Sequence, residues 1–88
     1  MAISDETLQL LESLSQACDP PPWHAVVEGR DQLSGSSFIQ TGDDDDRGED
    51  VYVTRDSGPA SAAYLDLIAA SVTYVPDLIA EVRRLRGS

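Results

Sequence analysis

The chain has 88 residues, enough for one domain spanning residues 1–88, and a core that takes about 60–65% of the unfolded surface out of water. Sixteen acidic residues against six basic ones give a formal charge of −10, which disfavours docking on nucleic-acid backbones or anionic membranes and favours basic protein surfaces. The apolar fraction of 41% argues against wholesale disorder, no apolar run approaches the ~20 residues of a spanning helix, and Asp5 and Glu6 stand where a signal peptide would be basic. The expected compartment is therefore the cytoplasm.

Residues 3–18 read as an amphipathic helix. Ser4 is its expected N-cap, and Asp5 and Glu6 suit the positive end of the helix dipole. Ile3, Thr7, Leu10, Leu11, Leu14, Ala17 and Cys18 recur on one face. Cys18 therefore reads as a small core residue; alone it makes neither an intramolecular disulfide nor a structural zinc site. Pro20, Pro21 and Pro22 stop the helix.

Three short strands are expected next, Trp23 to Glu28, Ser37 to Gln40 and Val51 to Thr54, joined by polar loops into an antiparallel meander. Ser57-Gly58-Pro59 signals a helix start with Pro59 at the first helical position, and residues 59–74 follow as a helix. Leu65, Ile68, Ala69 and Val72 form one face of that helix; Tyr64, Leu67, Ser71 and Tyr74 form a second. Two apolar faces imply burial on both sides and a homodimer or larger assembly. Pro76 is expected to break the run before a last helix with Leu78, Ile79, Val82 and Leu85 inward; Gly87 and Ser88 read as a frayed end. The expected class is α+β in the order α-β-β-β-α-α.

Two segments carry a resemblance. The first is DPPPW at 19–23 after a Leu-rich helix; the second is AYLDLIAASVTYVPDLIAEVRRLR at 63–86. Together they resemble a large group of short, mostly uncharacterised proteins of actinobacterial phages and prophages, with a Pro-Gly-Pro-Trp-like segment and a C-terminal helical stretch. Pro21 stands where that group usually has glycine, and Leu67 where it has phenylalanine. The resemblance implies a mobile-element origin, in keeping with a chain that has arginine but no lysine or asparagine. It implies no particular activity.

The most unusual segment is the acidic loop Asp43, Asp44, Asp45, Asp46, Arg47, Gly48, Glu49, Asp50. An EF-hand would need an oxygen ligand at its fifth position and glutamate at its twelfth. Counting from Asp43, those positions hold Arg47 and Thr54, so no metal is assigned to the loop. Its functional reading is a surface, made by Asp43, Asp44, Asp45, Asp46, Glu49 and Asp50, that docks on a basic host protein. The alternative is a solvated connector.

Arg30, Arg47 and Arg55 could hold a nucleotide or cyclic nucleotide through their forked donors, with Trp23 or Tyr52 as a stacking surface. In an oligomer this would act as a sponge for a nucleotide signal. Against it, residues 23–58 carry nine acids and only these three bases, and no glycine-rich phosphate loop is present. The bland reading of Trp23 is a core anchor where the first helix meets the sheet. His24 is the only histidine, and no nucleophile, base and orienting group assemble around it in the sequence, so neither an enzyme nor a cofactor is expected.

Overall fold

The computed structural model describes residues 2–87. The class is α+β, with helix α1 (Asp5–Gln16), strands β1 (Trp23–Val26), β2 (Phe38–Thr41), β3 (Thr54–Arg55) and β4 (Gly58–Pro59), and helix α2 (Ala62–Leu85). No helix among the described residues is long and apolar enough to cross a membrane.

Helix α1 begins where its polar residues dictate. The Ser4 hydroxyl accepts the Thr7 N–H at 3.1 Å, and Asp5 and Glu6 occupy the first turn. Its buried face differs from the expected one. Leu8 is the buried residue, Leu11 is half-buried, and Ile3, Leu10 and Leu14 are exposed. Cys18 lies past the helix and is exposed, which corrects its reading as a core residue. Two ion pairs link α1 to α2: Arg83 to Glu12 at 2.7 Å and Arg86 to Asp5 at 2.9 Å.

Strands β1 and β2 pair antiparallel, with Trp23 opposite Thr41 and Val26 opposite Phe38. β1 stops two residues earlier than expected, because the Val27 N–H turns to the Asp31 carboxylate at 2.9 Å and the Val27 carbonyl accepts from Arg30, Asp31 and Gln32. The expected third strand is reduced to one bridge, in which Ile39 and Val51 exchange both backbone hydrogen bonds at 2.8 Å. Beyond it the chain leaves the sheet for a separate hairpin, β3 with β4. Instead of one three-stranded sheet there are two two-stranded ones.

That hairpin also corrects the helix start. Pro59 lies in β4 opposite Thr54, a short edge strand where its missing N–H costs no ladder bond. Gly58, at φ +130°, makes the tight return that a side chain would strain. Ser61 then caps α2 with extended backbone and no side-chain cap bond.

The two C-terminal helices expected on either side of Pro76 are one helix of 24 residues, with Pro76 inside it. Proline removes one i→i−4 bond, costing about 3 kcal/mol in a helix interior. Here α2 is held on both sides of that point. Thr73 is bonded to β1, and Ile79, after the proline, is buried.

The core is small. Ile39, Leu65 and Ala69 form its centre, with Trp23, Ala25, Val27, Val51, Val53 and Ile68 packed around it. The expected inner face of residues 59–74 is thus the one buried. Leu78 and Leu85, expected inward, are 60% and 70% exposed.

Candidate functional site

The acidic loop grows out of the end of β2, and its backbone is fixed by the residues around it. Thr41 is fully buried, and its hydroxyl donates to the Glu49 carbonyl at 2.7 Å. The Thr41 carbonyl accepts the Gly48 N–H at 2.9 Å, and the Asp46 N–H closes a turn on the Asp43 carbonyl at 3.1 Å. Both loop glycines are sterically required. A Cβ on Gly42, at φ +78°, would lie 2.2 Å from the Asp46 carbonyl oxygen, and one on Gly48 would lie 2.6 Å from the Thr41 hydroxyl. The loop is therefore a folded excursion anchored on Thr41.

Its carboxylates face outward. Asp43, Asp44, Asp45, Asp46 and Glu49 are exposed and Asp50 is half-buried. Asp44 accepts the Gln40 side-chain amide at 3.1 Å, and Asp50 pairs with Arg47 at 2.9 Å. The remaining acids are held near one another by backbone geometry, at a repulsive cost that water and salt reduce.

The proline segment lies against this loop. The Gly42 N–H donates to the Pro22 carbonyl at 2.8 Å, and the Trp23 indole N–H donates to the Asp19 carbonyl at 3.1 Å. The result is a notch of about 210 Å³, lined by Asp19, Pro20, Pro21, Asp43, Asp46 and Arg47 among others. Three acidic residues, two prolines and Arg47 line this recess, so its rim carries a net negative charge. Asp19 was not among the sequence candidates. The only signal for it is its place at the head of the proline run, and nothing local shows that the run folds back onto the loop.

The three arginines are each engaged differently. Arg30 donates to both carboxylate oxygens of Asp66 at 2.9 Å and to Asp31 at 2.9 Å. These contacts push the Arg30 pKa up, and the Arg30 guanidinium holds the Asp66 carboxyl below its usual range. Asp31 is also lowered, chiefly by the Val27 N–H and further by Arg30. Arg47 pairs with Asp50 and sits 5.6 Å from the Phe38 ring centre, which in turn lies 5.7 Å from Tyr52. Arg55 lies 5.0 Å from the ring centre of Tyr64. Arg47 and Tyr52 are thus joined through Phe38, while Trp23 is at the other end of the β1–β2 ladder.

Trp23 is half-buried against the core cluster. His24 is exposed on β1 opposite Gln40. The Glu28 carboxylate, beyond the end of β1, accepts the Gly35 N–H at 2.8 Å, so it closes a loop. Among the described residues no group of three or more His, Cys, Asp or Glu is arranged to hold a metal ion.

No family model matches the chain, and neither a curated protein nor a solved structure is significantly similar to it.

Proposed function

We propose that the chain is a non-enzymatic binding protein of phage or prophage type, and that its acidic loop docks on a basic surface of a host defence or regulatory protein. The observation that carries this reading is the combination of a fixed loop backbone with outward carboxylates. A solvated connector has no need of two glycines packed too closely for a side chain or of a buried threonine holding its exit. A docking surface does, because preorganised charge avoids the ordering cost on binding. The notch beside Asp19, Asp43 and Asp46 would take one basic side chain of the partner, and the acids around it would steer the encounter.

The nucleotide-sponge alternative has less support. Arg30 and Arg47 already bond carboxylates, and a phosphate would have to displace them.

The test is capture from host lysate by the wild-type chain and by a variant with Asp43, Asp44, Asp45 and Asp46 all changed to serine. A partner with a basic surface should be retained by the first and lost by the second. Equal retention by both chains would overturn the reading.

A further inference from the structure

Helix α2 carries two stripes of side chains on nearly opposite sides. The inner one runs through Leu65, Ala69 and Ile79 and is buried. The outer one is Tyr64, Leu67, Ser71, Tyr74, Leu78, Glu81 and Leu85, at alternating spacings of three and four residues. That 3.5-residue repeat is the seam of a helix that pairs with another helix. At its 1.5 Å rise per residue the stripe is about 30 Å long. Its five large apolar members are 45–70% exposed. Leu14 of α1 borders it, sharing a shallow apolar groove with Ser71 and Val75.

We propose that this stripe is the interface of a homodimer in which α2 packs antiparallel against α2 of a second copy. A twofold axis level with Val72 and Thr73 sets Leu67 against the partner copy's Leu78, Ser71 against its Tyr74, and Tyr64 against its Glu81. Each pair occurs twice, as an isologous contact requires.

Three observations favour a second copy as the occupant. The first is self-complementarity: in this register both apolar layers meet apolar layers, and the one small polar position, Ser71, meets a tyrosine hydroxyl that can bond it. Ser71 and Glu81 are the polar positions of the seam, and polar seam residues fix register. The second is charge. Arg55 lies over the Tyr64 ring, and among the described residues it has no carboxylate at ion-pair distance. The register brings Glu81 of the second copy, which pairs with Arg84 of its own chain, to that ring, so that its carboxylate would lie between two guanidiniums. The third is area. Tyr64, Leu67, Tyr74 and Leu78 are 45–68% exposed, with Leu14 beside them, and a second copy of the same strip would supply a large part of the ~800 Å² that each partner buries in a standard interface.

The test is the solution mass of the full chain by light scattering across micromolar concentrations. The expected mass is twice the 9.5 kDa of the chain. Leu67→Asp and Leu78→Asp, each at a site more than half exposed, should each halve it while leaving the far-ultraviolet circular dichroism unchanged. Combining Leu67→Arg with Leu78→Asp in one chain should restore the dimer, because the antiparallel register opposes the two new charges. A parallel pair would oppose like charges and stay apart. A monomeric wild type at high micromolar concentration overturns the proposal, as does a dimer that survives both single substitutions. A double variant that remains monomeric overturns the antiparallel register. Because each copy carries −10, the dimer should tighten as salt rises.

Discussion

The hydroxyl of Thr73 does for Trp23 what a neighbouring strand would do. It accepts the Trp23 backbone N–H at 3.0 Å and lies 3.1 Å from the Trp23 carbonyl, so one side chain of α2 meets both outward-facing backbone groups of an edge residue. The same oxygen is 2.8 Å from the Ala69 carbonyl, and its single proton serves one of the two carbonyls at a time. This junction joins the sheet to the helix just before Pro76.

Thr73→Val keeps the shape and leaves a half-buried N–H without a partner. The expected loss is about 1–3 kcal/mol, the penalty for an unsatisfied backbone donor. Thr73→Ser keeps the hydroxyl and should lose much less. Urea denaturation of the two variants side by side measures the difference; equal losses would show that the methyl, and not the hydroxyl, matters at this junction.

Pro76→Ala returns an N–H to the turn that ends on the Val72 carbonyl. Helix propensity favours alanine over proline by about 3 kcal/mol, and the half-buried ring gives back part of that in lost contact with the groove beside Pro20 and Pro21. A net rise in melting temperature is expected. A fall would mean that α2 needs the proline's packing more than the missing hydrogen bond.

Much of this architecture was legible, and the failures have particular causes. Ser4, Asp5 and Glu6 mark the start of α1 because capping is local chemistry. Which face of α1 is buried is not local: Leu8, Leu10, Leu11 and Leu14 supply two overlapping apolar faces, and tertiary packing, with the Arg83–Glu12 and Arg86–Asp5 pairs at its edge, chooses between them. Pro76 reads as a break because its cost is local, while the contacts that hold α2 on either side of it are tertiary. The acidic loop was visible from composition. Its anchoring by Thr41 and the proximity of Asp19 depend on hydrogen bonds between distant segments.

Acid should expose the contribution of the Arg30–Asp66 pair, which ties the loop after β1 to α2. The folded-state pKa of Asp66 lies below the ordinary value of 3.8 because Arg30 bonds its ionised form. A lowered carboxylate stabilises the fold at pH above the unfolded value, and that stability is lost as pH falls through the folded value. The difference in melting temperature between wild type and Asp66→Asn should therefore be constant above about pH 5 and shrink below 3.8. Both groups are about half exposed, so the difference should be modest. A difference that grows in acid would contradict the assignment.

The acidic loop allows its charge and its shape to be changed separately. The loop's fold rests on backbone bonds to Thr41 and on the two glycines, so replacing Asp43, Asp44, Asp45 and Asp46 with serine should leave melting unchanged or slightly raised as repulsion is relieved. Gly42→Ala does the opposite. It keeps every carboxylate and forces a side chain into a left-handed conformation against the Asp46 carbonyl, so the loop must move. On the proposed partner the two variants should then fail in different ways. The serine variant loses steering, so association slows and its dependence on salt flattens. The alanine variant keeps the steering and loses the fit of the notch, so dissociation quickens while the salt slope stays. Binding kinetics at two salt concentrations separate these outcomes. If both variants bind with wild-type rates and salt slope, the loop is only a connector, and attention moves to Arg30, Arg47 and Arg55.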